Sequence, residues 1–199
     1  METGDIMKTV FIYFLFFVIL FFTCSANAQK CTASEDLPNF GCVSSNLFRG
    51  AQPTGEGLKE LARRGVRTII NLRGADENAR AEENEARKLG IKFINVPLSD
   101  WWAPKDSEMK QIMELIDTSA NQPVFVHCKR GADRTGTVIA IYRITHDGWT
   151  AKQAKQEARN FRLGWWQFWK KDYIEDYYED YKKLKSAKRL KNAQQVSTP

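Results

Sequence analysis

The sequence predicts a single α/β domain, a layered fold with a largely parallel central sheet flanked by helices. Two observations carry this. Strand-like and helix-like segments alternate from Leu47 onward, the order that builds parallel sheets through helical crossovers. Two strand-like runs, Thr68-Ile69-Ile70-Asn71-Leu72 and Pro123-Val124-Phe125-Val126, are β-branched or aromatic at their centres, as strands buried on both faces are. No internal repeat, long low-complexity stretch or second linker breaks the alternation.

The elements follow in order. Leu47-Phe48-Arg49 reads as a short strand. Thr54 to Arg64 reads as a helix with Leu58 and Leu61 inward, closed by Gly65. After the Thr68–Leu72 strand, Asp76 to Leu89 reads as a polar, exposed helix that stops at Gly90, and Ile91 to Leu98 as another strand. Met109, Ile112, Met113 and Ile116 recur at helical spacing behind Asp106 or Ser107 as the cap. Val124 to His127 is the next strand. Val138, Ile139, Ile141, Tyr142 and Ile144 are apolar nearly all round, which predicts a central buried helix. Thr150-Ala151-Lys152-Gln153 is a capping box for the helix after it. Trp166, Trp169, Tyr173, Ile174, Tyr177, Tyr181 and Leu184 form one stripe of a last long helix and are assigned to the core.

The chain divides into a cleaved signal peptide (1–28), an N-terminal arm (29–46), the domain (47–185) and a basic, polar tail (186–199). Lys8 precedes an apolar stretch from Val10 to Phe22, and Ala26-Asn27-Ala28 supplies a small-x-small cleavage site. That stretch is shorter than the roughly 20 residues a membrane span needs, although a retained anchor stays open. Export to a periplasmic or extracellular space follows. Cys31, Cys42 and Cys128 remain after cleavage; an oxidising compartment allows a Cys31–Cys42 disulfide, left open here, with Cys128 as the odd thiol. The formal net charge of +6 suits an anionic substrate or surface. The basic tail is a candidate weak membrane-surface contact. With only two His and neither HExxH nor paired CxxC, neither a metal nor another cofactor is expected. No nucleic acid is expected as partner, and the protein is expected to be a monomer.

The decisive segment is His127-Cys128-Lys129-Arg130-Gly131-Ala132-Asp133-Arg134-Thr135-Gly136. It sets a thiol and a guanidinium six residues apart, between a strand and a helix start. A strand, a tight loop and a helix N-terminus aim backbone N–H groups and a positive dipole end at one spot, a site for a tetrahedral oxyanion. The same field favours thiolate, so Cys128 is expected as a nucleophile, its pKa lowered into the range of about 3.5–7.5 known for such cysteines. Arg134 supplies a planar fork for two phosphoryl oxygens. The chemistry these residues imply is hydrolysis of a phosphate monoester through a cysteinyl-phosphate. Lys129, Arg130, Gly131, Ala132, Asp133 and Arg134 form the phosphate-binding loop.

The segment resembles the signature loop of the dual-specificity branch of the cysteine-dependent protein tyrosine phosphatase superfamily. The runs Asn46-Leu47-Phe48-Arg49-Gly50-Ala51-Gln52-Pro53 and Gly65-Val66-Arg67-Thr68-Ile69-Ile70-Asn71-Leu72-Arg73 are similar to those of its compact exported bacterial members. They are similar, too, to the plant and fungal atypical enzymes that act on inositol pyrophosphates. The resemblance spans Leu47 to Phe161 and implies a protein tyrosine phosphatase-like fold.

A leaving alkoxide or phenolate needs a proton donor opposite Cys128. Asp100, in the loop after the strand ending at Leu98, is the candidate, and its position resembles that of the mobile-loop aspartate of dual-specificity phosphatases. Asp106 is the reserve. His127 is expected to face away and hold the loop by hydrogen bonds, and His146 to lie at the surface or a helix end. Thr135 is a candidate donor to the Cys128 sulfur or a helix cap. Asp133 repels phosphate unless it orients Arg134 or water. Trp101-Trp102 either wall the pocket or anchor their loop. Two substrate classes stay open: phosphorylated protein, tyrosine or dual-specificity, and inositol polyphosphate or phosphoinositide. A catalytically silent phosphate-binding module is a third reading.

Overall fold

Alternate residues of the central strands feed two cores, one on each face of the sheet. The computed structural model describes residues 31–196; the signal peptide expected over 1–28 and the end of the tail lie outside the described residues. Strands β2 (Leu47–Ala51), β5 (Val124–Cys128), β3 (Thr68–Asn71) and β4 (Lys92–Asn95) run parallel in that spatial order. A short antiparallel strand, β1 (Gly41–Cys42), extends the edge beside β2. Every residue of β2, β3 and β5 is buried, which is why these runs carry no polar alternation. Val124 and Val126 face one core, Phe125 the other; Ile70 and Ile69 divide in the same way.

One face is covered by α3 (Asp106–Asp117), α4 (Asp133–His146), α5 (Ala151–Asn160) and part of α6 (Phe168–Val196). The other is covered by α1 (Gly55–Arg63), α2 (Glu77–Lys88) and the segment holding Leu37 and Phe40. Val138, Ile139, Ile141 and Ile144 are all fully or almost fully buried, so the all-round apolar helix does take the central place. Thr54, Asp76 and Thr150 cap α1, α2 and α5. Phe40 stacks on Phe48 and Phe125, and a Cys31–Cys42 disulfide with Cα atoms 5.4 Å apart closes the loop that carries it.

Four details differ from the sequence reading. Regular β4 is shorter than Ile91–Leu98, yet Val96 and Leu98 still donate to the carbonyls of Asn71 and Leu72, at 2.9 and 3.1 Å. The cap of α3 is Lys105, whose N–H donates to Glu108 Oε2 at 2.8 Å; Asp106 instead accepts from the Tyr173 hydroxyl at 3.0 Å. Helix α2 is not exposed throughout, because Ala79, Glu82 and Ala86 are buried. The aromatic stripe of α6 is core only at its middle. Ile174 is fully buried, but Trp166, Trp169 and Leu184 are exposed. A helix of 29 residues, about 43 Å long, outruns the body it packs against.

Candidate active site

Cys128 is the last residue of β5, and its register beside Ala51 puts it at the carboxyl edge of the sheet, where ligands of parallel sheets bind. The chain then turns through Lys129–Ala132 into the N-terminus of α4. Gly131 takes φ +65°, and a Cβ there would run into the backbone of Gly50 and Ala51, so only glycine fits the turn. The loop is gripped from outside. Asn39 Nδ2 donates to the carbonyls of Arg130 (3.1 Å), Gly131 (3.0 Å) and Phe161 (3.1 Å). Arg49, fully buried, donates from Nη2 to the Gly131 carbonyl at 3.0 Å and lies 3.9 Å over the Phe161 ring. With the loop carbonyls engaged there, the N–H groups from Lys129 to Arg134 have no acceptor among the described residues. They are free to bind an anion at the sulfur.

Burial pushes the Arg49 guanidinium down to about 10, against the attraction of Glu157 and Cys128. It places a buried positive charge behind the nucleophile.

Arg134 is 8% exposed. Its Nη1 donates to the Leu72 carbonyl at 3.3 Å, and its Nη2 lies 2.7 Å from Asp100 Oδ1. Asp100 therefore shares the pocket with Cys128 and Arg134. Its own carbonyl accepts from Lys170 Nζ at 2.8 Å and from Gln167 Nε2 at 3.3 Å. Lys170 is 1% exposed. Burial pushes its ammonium down to about 8; Arg134 acts in the same sense, while Asp133, Asp100 and Cys128 oppose the shift.

Asp133 does not confront the bowl as a bare charge. Its Oδ1 accepts from the Gly164 N–H at 2.8 Å and its Oδ2 from Arg130 Nη2 at 2.5 Å. It ties the loop to the segment carrying Trp165, Trp166 and Gln167. Asp100, Trp101, Cys128, Lys129, Arg130, Asp133, Arg134, Trp166 and Gln167 line a cavity of about 370 Å³. Trp101 walls the pocket; Trp102 instead contacts Trp169, ring centroids 5.6 Å apart.

The remaining candidates fall elsewhere. His127 faces away, as expected, but its partner is not the loop: Nε2 lies 2.9 Å from the buried Glu82 Oε1, and the ring stacks on Phe125. Thr135 is the third residue of α4 rather than its cap, which is Ala132, and its buried Oγ1 has no hydrogen-bond partner among the described residues. Asp106 lines a different cavity, with Tyr173 and Tyr177. His146 pairs with Asp117 at 2.8 Å on the surface side of α4.

A family model described as "DSP-PTPase phosphatase fused to NAD+ Kinase" matches residues 26–172. The chain belongs to the DSP-PTPase family. Among its relatives, this DSP-PTPase is 31% identical over 127 residues to "NAD kinase 2, chloroplastic" of Arabidopsis thaliana, covering 61% of this chain and 13% of that one. It is 28% identical over 123 residues to the dual specificity protein phosphatase TpbA of Pseudomonas aeruginosa, covering 61% and 54%. The chain thus spans about an eighth of the plant kinase and about half of TpbA. Its fold is that of the catalytic core of the PP-IP phosphatase SIW14 from S. cerevisiae, with TM-score 0.66, 24% identity, and coverage of 80% of this chain and 96% of that one.

Lys170, Gln167, Arg49, Asn39 and Glu82 were absent from the candidates of the sequence reading. Two left a signal. Arg49 is a charge inside an apolar strand, and Lys170 lies one turn before Ile174 on the buried side of α6.

Proposed function

We propose that this protein is an exported phosphatase of tyrosine or dual specificity that hydrolyses phosphoprotein monoesters through a cysteinyl-phosphate. The observation that carries it is the convergence of Cys128, Arg134 and Asp100 on one cavity, with Arg134 Nη2 2.7 Å from Asp100 Oδ1. The Cys128 thiolate attacks phosphorus, an S–P bond forms, and the P–O bond to the leaving group breaks. The loop amides and the Arg134 fork hold the non-bridging oxygens. Asp100 gives its proton to the departing oxygen, then takes one from the water that cleaves the S–P bond and frees phosphate. Trp101 and Trp166 supply flat walls for a phenyl ring, and the kinship with TpbA, named a dual specificity protein phosphatase, supports the same substrate.

Lys129 and Arg130 favour a second reading, an inositol polyphosphate or phosphoinositide substrate, as does the fold shared with a PP-IP phosphatase. Arg130 spends its charge on Asp133 and the Trp166 face, at 5.8 Å from the ring centroid, which leaves Lys129 as the freer cation and weakens this reading. Turnover of a phosphotyrosine peptide against inositol hexakisphosphate, at matched concentration, separates the two. Preference for the inositol phosphate rejects the protein reading, and turnover by Cys128→Ser rejects the covalent route.

A further inference from the structure

Aromatic side chains crowd the mouth of the cavity. Trp101, Trp102, Trp165, Phe168 and Trp169 are 56–76% exposed, and Trp166 is 42% exposed. They come from two separate segments, the Asp100 loop and the stretch leading into α6, and they form one patch. Trp102 meets Trp169 at 5.6 Å, Trp165 meets Trp166 at 5.9 Å, and Trp165 meets Phe168 at 6.5 Å between ring centroids. None belongs to either core cluster. A contiguous exposed apolar patch of this kind marks an interaction surface.

The chemistry of the patch selects its partner. Indoles combine an apolar body with an N–H and concentrate where hydrocarbon meets headgroups. Two lysines stand beside them: Lys129 at the cavity, with no ion-pair partner among the described residues, and Lys171, whose Nζ lies 4.6 Å from the Phe168 ring centroid. Of the nearby carboxylates, Asp100 is paired with Arg134 and Asp133 with Arg130, which leaves the exposed Asp172 beside Lys171. The presented face is therefore aromatic and cationic, the complement of an anionic headgroup layer. A second copy of this chain would bring like charges together. The rim is made of exposed side chains of the domain, so the contact is a surface one. It is also distinct from the basic tail, which begins on the order of 25 Å along α6.

We propose that this aromatic rim docks on an anionic lipid bilayer and seats the mouth of the catalytic pocket at the headgroup level, so that phosphate esters presented at the bilayer surface are preferred. The docking is independent of the chemistry; the substrate preference rests on the phosphatase reading above.

The test uses the full chain and the variant F168D, which keeps all six tryptophans and whose position does not line the cavity. Quenching of tryptophan fluorescence by brominated lipid in phosphatidylcholine vesicles, with and without phosphatidylglycerol, reads insertion of the rim. The stretch from Val10 to Phe22 holds no tryptophan and is common to both proteins. The wild type is expected to be quenched by the anionic vesicles and the variant about tenfold less. Lys171→Glu should weaken quenching by the anionic vesicles alone. An acyl-anchored phosphotyrosine peptide and phosphatidic acid in the same vesicles distinguish protein from lipid as the source of the ester. The variant should lose about tenfold in rate on whichever is turned over, with para-nitrophenyl phosphate turnover unchanged. Equal quenching of wild type and variant, or of wild type by neutral and anionic vesicles, overturns the proposal. A loss confined to a free phosphotyrosine peptide also overturns it and makes the rim a protein-docking face. Cys128→Ser should keep the quenching and lose turnover, so docking and chemistry fail separately.

Discussion

Arg134 Nη2 and Asp100 Oδ1 lie 2.7 Å apart, so the fork that would hold a phosphoryl group also grips the carboxylate assigned to protonate its leaving oxygen. A phosphoryl oxygen arriving at Arg134 competes with Asp100 for the same N–H. The displaced carboxylate has only to swing outward, because its main chain is held by Lys170 and Gln167.

Asp100→Asn takes the charge from that competitor and removes the acid. Inorganic phosphate should inhibit the variant at lower concentration than the wild type, while kcat on an alkyl ester falls about 10²–10⁴-fold. Aryl esters with good leaving groups should lose much less. Equal losses on both esters, by steady-state kinetics, would remove Asp100 from the acid role.

Arg134→Lys keeps the charge and loses the planar fork. Most turnover should disappear with the fold intact by circular dichroism. Rates near those of the wild type would contradict two-point binding of the phosphoryl group.

Lys170→Met tests the support of the acid loop. Loss of the hydrogen bond to the Asp100 carbonyl should lower kcat on poor leaving groups more than it changes KM. The pH dependence has a definite sign. The native value of about 8 lies below the ordinary 10.5, so between those values the unfolded chain binds more protons and stability rises with pH. Denaturant midpoints of wild type and variant, compared from pH 7 to 10.5, should show that rise only with Lys170 present.

Arg49→Met removes a buried charge of which, among the described residues, only Nη2 has a hydrogen-bond acceptor. Stability should change little or increase, since a buried ion is costly. Turnover should fall because the Gly131 carbonyl keeps only the Asn39 amide of its two donors. Urea unfolding measured beside kcat separates the two effects.

The segment from Cys128 to Arg134 was legible in the sequence because its geometry is local: one strand, one turn, one helix start. Its surroundings were less so. Asn39 reaches Gly131 across 92 positions and Lys170 reaches Asp100 across 70, and no periodicity encodes such meetings. Glu82 was read as solvated because its helix is polar, whereas the burial follows from where His127 points. The α6 stripe misled for a related reason. Trp169 stands about 140° and Leu184 about 80° round the helix from Ile174, so the stripe is wider than the face that Lys170 and Ile174 bury.

Asn39 belongs to the loop that Cys31 and Cys42 close, and the same amide restrains the phosphate bowl from behind. Reduction of that pair would slacken the restraint at a distance from the nucleophile. The double variant C31S/C42S should retain its fold and turn over more slowly, with a raised KM for small aryl phosphates; an unchanged rate would dissociate the two. A chain wired in this way would mature twice, once when its sheet assembles and again when its outer thiols join, and would reach its full rate only after the second.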